Sequence, residues 1–349
     1  MSLPDLPELS VAKELLERLA EQNFSLEHYA NFAQESKAED LLARLPLQAS
    51  IPTDGLPALY RLWTLGWSTS LRETREVFGE RFCERMITAG LLHIQNDTCQ
   101  ARHTLIHFRK CWVFSDRFDQ VTHQLPFYVM APSYSTVQLL PFIETQKNQV
   151  HELGCGSGLL GLLLCQKGAQ VSFSDLNPRA VAYCKLNLAL NHLNGEAWVS
   201  DWASVLHNTS PSSYYIFNTP SLPDVAHKGI LANHVNSAPN AFIQDLLRSM
   251  LHTGQAFAFW ACLTLTHHAP SPLHWLESIG FGQVEGLLFT MDIQSPFNLT
   301  PKHILRKKRP MMCWLCNSED EPALFKFCSD QNLHSVVSGT FSFSPLCSG

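Results

Sequence analysis

The segment "QVHELGCGSGLLGLLLCQKGAQVSFSDLNP", from Gln149 to Pro178, constrains this chain more than any other stretch. A β-prone run, a turn with glycine at three alternate positions, an apolar helical run and a second β-prone run follow one another directly. That order predicts two parallel strands joined by a right-handed crossover helix. The alternation continues through "AWVSD", "YYIFN", "AFAFWACL", "GQVEGLLF" and "MMCWLCN", with helical stretches such as "RAVAYCKLNLALN" between them. The fold class is therefore α/β, a doubly wound seven-stranded Rossmann-like sheet. No strong helical period separates the last two runs, so the sheet is expected to close with an antiparallel edge strand.

Upstream, "PELSVAKELLERLAEQNFSLEHYANFA" places Leu15, Leu16, Leu19 and Phe24 at helical spacing, which predicts a helical cap over residues 1–55. Residues 56–125 read as helix, turn and helix up to Gly90, then two short alternating runs ending in "CWVFSD", a winged-helix-like module. The Rossmann-like domain is expected over 126–317, and a polar turn with a short β extension over 318–349. Basic and acidic residues balance along "SLRETREVFGERFCERM", so the module reads as a lid, with nucleic acid an unlikely partner. Net charge points the same way: −6 overall, with a pI of 6.2, gives no electrostatic reason to hold a phosphate backbone. Eleven irregularly spaced cysteines and an N-terminus without a basic and apolar leader predict a reducing, cytoplasmic setting. No apolar run approaches the roughly 18 to 20 residues of a membrane span.

Gly154, Gly156 and Gly158 allow a ligand to approach the backbone where a Cβ would clash. The dinucleotide fingerprint would need glycine at position 159, where Leu159 stands, and no Gly-Lys-Ser or Gly-Lys-Thr ending marks a P-loop. What remains is Glu152, a carboxylate at the end of the first strand, suited to the ammonium of a zwitterion. The expected cofactor is S-adenosyl-L-methionine. Asp175 ends the second strand, 23 residues beyond Glu152, where a carboxylate can accept both ribose hydroxyls. The third strand is expected to end in Asp201, an acceptor for the adenine amine, with Trp202 packed on the ring.

"ELGCGSG", "SDLNPRAVAYCKLNLALN" and "SDW" resemble the first three motifs of class I S-adenosylmethionine-dependent methyltransferases. The second is especially similar to the small-domain subgroup, which includes release-factor glutamine and ribosomal RNA guanine methyltransferases. The upstream module and the link "VMAPSYSTVQLL" resemble a bacterial branch with a winged-helix-like N-terminal part. The resemblance implies Glu152, Gly154, Gly156 and Gly158 at the methionine end, Asp175 at the ribose, and Asp201 with Trp202 at the adenine, and Leu176 is expected to bind the cofactor as well.

In that subgroup the fourth strand ends in Asn-Pro-Pro and an aromatic, where asparagine and the next carbonyl clamp a planar amide or amine. Here "FNTPSLPD" keeps Asn218 and Pro220, but Thr219 replaces the first proline and Ser221 the aromatic. Asn218 and Thr219 are the expected catalytic pair, Asn218 also lying against the cofactor. Tyr214, Tyr215, Asp224 and His227 are candidates to reshape the pocket for a smaller acceptor. The expected reaction is methyl transfer to nitrogen or oxygen of a small molecule or peptide side chain. Two alternatives stay open: cyclisation of the cofactor to azetidine-2-carboxylate with release of methylthioadenosine, and a non-catalytic cofactor-binding sensor or partner protein. No metal site is expected: Cys313 and Cys316 lie in a predicted strand, where residues three apart face opposite ways, although Cys328 and His334 follow. "RKKRP" (306–310) and the pair His267 and His268 read as loop.

Overall fold

The computed structural model describes residues 6–33, 35–45, 55–118, 127–143, 149–208, 214–219, 222–223, 235–236, 240–293, 295, 298–300, 302, 329–330 and 332–345. Three short helices open the chain: α1 (Leu9–Glu21), α2 (Leu26–Phe32) and α3 (Ala38–Arg44). Val11, Leu15 and Leu19 give α1 one buried stripe. The Ser25 side chain starts α2 by accepting the His28 N–H at 3.0 Å. A π turn over Tyr60–Thr64 then leads to β1 (Thr69–Ser70), α4 (Leu71–Phe78), α5 (Glu80–Thr88), β2 (Leu92–Gln95) and β3 (Thr98–Ala101). β3 lies between β1 and β2, antiparallel to both. A second antiparallel hairpin follows, β4 (Thr104–Phe108) with β5 (Cys111–Ser115). Four strands thus stand where the sequence predicted two runs, because bends at Arg102 and His103 separate β3 from β4.

The main sheet comprises β6 (Gln149–Leu153), β7 (Gln170–Asp175), β8 (Glu196–Val199), β9 (Tyr214–Asn218), β12 (Phe257–Thr266), β13 (Leu287–Met291) and β14 (Leu333–Phe343). Its helices are α6 (Tyr134–Ile143), α7 (Leu159–Gln166), α8 (Pro178–Leu190), α9 (Trp202–Asn208), α10 (Ala241–Thr253) and α11 (Pro272–Ser278); a small parallel pair, β10 (Leu222–Pro223) and β11 (Val235–Asn236), stands apart. The strand order β13-β14-β12-β9-β6-β7-β8 is that of a doubly wound seven-stranded sheet. β12, β9, β6, β7 and β8 are parallel, and β14 runs antiparallel to β12 and β13. Winding reverses between β6 and β9, so their C-terminal ends flank the crevice where such sheets bind ligands.

Two expectations are corrected. The antiparallel strand is the penultimate one and the edge is β13. The seventh strand is Leu333–Phe343, expected as an appended extension, whereas "MMCWLCN" lies outside the described residues. What seats β14 inside the sheet is an aromatic ladder: Phe341 stacks on Phe259 at 5.0 Å and Phe343 on Phe257 at 5.5 Å.

One face of the sheet buries Phe217, Leu246, Phe259 and Trp275 under α9, α10 and α11. On the other, α6, α7 and α8 share a continuous core with the N-terminal part: Leu15, Trp63, Phe114, Leu139, Leu162, Phe173 and Tyr183 belong to one buried cluster. The described part of the N-terminal region is therefore built onto the sheet face that carries α6, α7 and α8.

Candidate cofactor and acceptor site

The site grows from the turn between β6 and α7. Gly154, Gly156 and Gly158 have φ of +57°, +52° and +84°, a region that residues with a Cβ enter only at a cost. Close approach adds to this at two of them. A Cβ on Gly154 would lie 2.4 Å from Phe217 Cε2, and one on Gly158 would lie 2.9 Å from Cys184 Sγ. Around Gly156 nothing lies within 4 Å of that position, which leaves its backbone open to a ligand. The Gly158 N–H closes the turn on the Cys155 carbonyl at 2.7 Å.

Glu152 is 4% exposed at the end of β6, and its Oε2 accepts the Gly161 N–H at 2.8 Å. Burial pushes its carboxyl up to about 8; the Gly161 bond opposes this, and the negative charge of Asp175 adds to it. Among the described residues no cation pairs with it. A buried acid in this state fits a ligand ammonium, whose charge would restore the carboxylate. Gly161, which sequence reasoning missed, makes the arrangement possible: a Cβ there would lie 2.1 Å from Phe173 Cε1 and 2.6 Å from Glu152 Oε2. Its only signal was a further glycine inside an apolar helical run.

Asp175 ends β7 as expected. Its Oδ2 accepts the Gly156 N–H at 2.9 Å and its Oδ1 accepts the Asn177 N–H at 2.8 Å, so one carboxylate ties the glycine turn to the start of α8. Leu176 beside it is 60% exposed, an apolar side chain left for a flat ring to cover.

Asp201 is placed differently from expectation. β8 ends at Val199, and Asp201 starts α9, accepting the Ser204 N–H at 2.8 Å and the Ser204 hydroxyl at 2.7 Å. These bonds hold its carboxyl below the usual range. Trp202 is half-buried, edge-on to Phe242 at 5.9 Å.

Asn218 and Thr219 end β9 beside the glycine turn, Phe217 lying directly beneath Gly154. Asn218 is in register with Trp260 of β12. The Thr219 N–H and hydroxyl both donate to the Trp260 carbonyl, at 3.2 and 2.7 Å. Thr219 thereby gains by hydrogen bonding the fixed conformation that a proline ring would impose. Tyr214 and Tyr215 start β9, so Tyr214 lies about 13 Å from Asn218 along the strand, far from the crevice mouth. Pro220, Ser221, Asp224, His227, Cys313, Cys316, Cys328 and "RKKRP" lie outside the described residues. Among the described residues no group of three or more His, Cys, Asp or Glu could hold a metal. His267 lies against His334, edge-on at 5.5 Å. No helix among the described residues is long and apolar enough to cross a membrane.

The sequence model of the family described as "Methyltransferase small domain" matches residues 133–244, from the turn before α6 into α10. Ribosomal RNA small subunit methyltransferase C of Shewanella baltica is 31% identical over 152 residues, which are 43% of this chain and 39% of that protein. Its namesake in Chromohalobacter salexigens is 45% identical over 53 residues, 15% of this chain and 16% of that protein. The putative protein N5-glutamine methyltransferase of Methanocaldococcus jannaschii is 34% identical over 97 residues, 27% of this chain and 48% of that protein. The chain thus covers about two fifths of the Shewanella relative's length.

Proposed function

We propose that this chain, whose residues 133–244 match the methyltransferase small domain, transfers the methyl group of S-adenosylmethionine to a nitrogen or oxygen of a small molecule or peptide side chain. The observation that carries the reading is the junction of Asp175 with the Gly156 N–H, which sets a ribose-binding carboxylate against an open glycine turn. When bound, the cofactor supplies a methyl group already activated on a sulfonium. The protein's own work is then positioning. Glu152 would hold the ammonium, Asp175 the ribose diol, and Leu176 and Trp202 the two sides of the adenine. Asp201, occupied with starting α9, would meet the adenine amine through a remaining lone pair.

The Asn218 side-chain oxygen and the Thr219 carbonyl would accept the N–H groups of an acceptor amine or amide, turning its lone pair toward the methyl group. Holding two reactants in line in this way removes much of the entropic barrier, and closing the crevice keeps water from competing. Support for a small acceptor comes from the arginines of the N-terminal module. Arg61 pairs with Glu73, Arg72 with Glu76, Arg75 with Glu80 and Arg85 with Glu14, so these four guanidinium groups already face carboxylates rather than standing free for a phosphate backbone.

A second reading, methylation of a ribosomal RNA base, is favoured by the names of the Shewanella and Chromohalobacter relatives. Cofactor carrying a radioactive methyl group, incubated with the protein and a cell extract that is then split into RNA, protein and small-molecule fractions, separates the two. Label in the small-molecule or protein fraction supports the proposal. Label confined to RNA, with binding that weakens steeply as salt rises, would replace it with the second reading.

A further inference from the structure

The first turn of α8, which follows the ribose carboxylate directly, is tethered twice to the chain that leaves the N-terminal hairpin. Asn177, the residue before α8, accepts the Arg179 N–H on its side-chain oxygen at 2.9 Å. Its amide nitrogen donates to the Phe127 and Tyr128 carbonyls at 3.0 and 3.3 Å. Arg179 makes a forked pair with Asp116: Nη2 to Oδ1 at 2.5 Å and Nε to Oδ2 at 3.1 Å. The Tyr183 hydroxyl adds a bond to Asp116 Oδ1 at 2.8 Å, and the Val129 N–H another to Oδ2 at 2.8 Å. Asp116 is fully buried, and Arg179 nearly so.

A buried ion pair is a poor device for stability alone, since desolvating both charges offsets most of their attraction and apolar residues of similar size do as well. What a forked pair supplies is direction, because the guanidinium plane and the carboxylate plane fix one another. Two further observations mark the tether as a held geometry. Phe127, a bulky residue, sits at φ +66° with its carbonyl turned to Asn177, a backbone conformation that costs energy and persists only where the surroundings enforce it. His103 is buried with Nδ1 2.8 Å from the Tyr183 hydroxyl, and its Nε2 has no partner among the described residues. The Tyr183 proton goes to Asp116, so Nδ1 carries the donor hydrogen and Nε2 is left as a buried, unsatisfied acceptor. Burial holds this imidazole down at about 4, hence neutral. The cluster tolerates that loss in order to keep one arrangement.

We propose that Asp116 and Arg179 are positioning residues for the cofactor: they set the direction of the Leu176–Asn177–Pro178 turn, and through the Asn177 N–H the orientation of the Asp175 carboxylate toward the ribose diol. The N-terminal part is then a structural component of the cofactor site. Asp116 follows β5 of the second hairpin, while Asp175 lies 59 positions later in sequence. This inference rests on the cofactor reading given above.

The test is discrimination rather than affinity alone. S-adenosylhomocysteine and its 2′-deoxyribosyl analogue are titrated calorimetrically into the full chain as wild type, Arg179→Lys and Asp116→Asn, each checked for native circular dichroism. Wild type should prefer the intact ribose by tenfold or more. Arg179→Lys keeps the charge and loses the fork, so its preference should fall to threefold or less, and that of Asp116→Asn further. A purely structural role would lower the melting temperature of both variants and leave the preference within twofold of wild type, which would overturn the proposal. Should either variant fail to fold, Tyr183→Phe, which removes one donor to Asp116 and keeps the ion pair, decides the matter by the same ratio: lowered threefold or more if the proposal holds, within twofold of wild type if it does not. Absence of any binding by wild type would instead sink the cofactor reading itself.

Discussion

The Asp175 carboxylate bridges the Gly156 and Asn177 N–H groups at 2.9 and 2.8 Å, so the acid proposed to meet the ribose is fixed both to the glycine turn and to the start of α8. Nothing in this bridge depends on the acceptor. The glycine turn and the N-terminus of α8 are thereby one unit, and β9 lies beside it, Phe217 standing where a Cβ on Gly154 would fall.

The glycines of this unit are not equivalent. Gly161→Ala forces a methyl into Phe173 and Glu152, and Gly154→Ala forces one into Phe217; overpacking of this kind costs about 1 to 3 kcal/mol, beyond the backbone cost that Gly154 adds at positive φ. Gly168, at φ +88° with open space around it, should lose only about 1 to 2 kcal/mol on the same change. Urea unfolding of the three variants checks the order, and only the first two should also lose cofactor binding. Equal effects would contradict the packing assigned to the turn.

The apo protein should have a narrow pH window of stability. His103 and His151 are held at about 4 by burial, against roughly 6.5 when unfolded, so the unfolded state binds more protons between these values and stability falls as pH is lowered, by about 3 kcal/mol for each. Glu152 acts in the opposite sense. Its folded value of about 8 lies above the unfolded 4.5, so the folded state binds more protons there, and a few kcal/mol are lost as pH rises through that range. Urea midpoints should fall on both sides of about pH 6. Saturating S-adenosylhomocysteine should remove the alkaline decline, because its ammonium stabilises the Glu152 carboxylate; an alkaline decline that persists with ligand would show that Glu152 does not meet that ammonium.

Much of this was legible in the sequence where burial imposes pattern. "QVHEL", "QVSFSD" and "YYIFN" coincide with β6, β7 and β9 residue for residue, because the glycine turn and the helical stretches between them mark where each strand stops. β14 was hidden because its serines and threonines lie among the phenylalanines that hold it, and a mixed run reads as surface. Asp201 was placed on a strand because only Ser200 separates it from the apolar run "AWV", while the Ser204 bonds that draw it onto α9 come from residues downstream. Arg179 gave no signal at all: an arginine in the first turn of a helix reads as solvated, and its partner Asp116 is 63 positions away.

Thr219 should matter through its hydroxyl. Thr219→Val keeps the shape and loses the 2.7 Å bond to the Trp260 carbonyl, so the acceptor clamp loosens while the cofactor contacts remain. The expected result is a fall in kcat of about tenfold, on the scale of one lost hydrogen bond, with cofactor affinity within twofold of wild type. A matching fall in cofactor affinity would place Thr219 on the wrong side of the site.

Analysis of the adenosine product distinguishes the reactions open to this pocket. S-adenosylmethionine incubated with the protein alone should remain intact, and with an acceptor it should leave S-adenosylhomocysteine. Methylthioadenosine formed without acceptor, above the spontaneous background and abolished by Asn218→Ala, would establish attack within the cofactor in place of methyl transfer.

The central claim is that the junction of Asp175 with the glycine turn binds the nucleoside half of S-adenosylmethionine. Calorimetric titration of S-adenosylhomocysteine into the folded wild type and Asp175→Ala tests it most directly. Wild type should bind with micromolar affinity, and the variant about tenfold or more weakly, since a ribose edge without its charged acceptor loses about 1.5 to 3 kcal/mol. Binding unchanged by the substitution, or no binding by the wild type, would contradict the account.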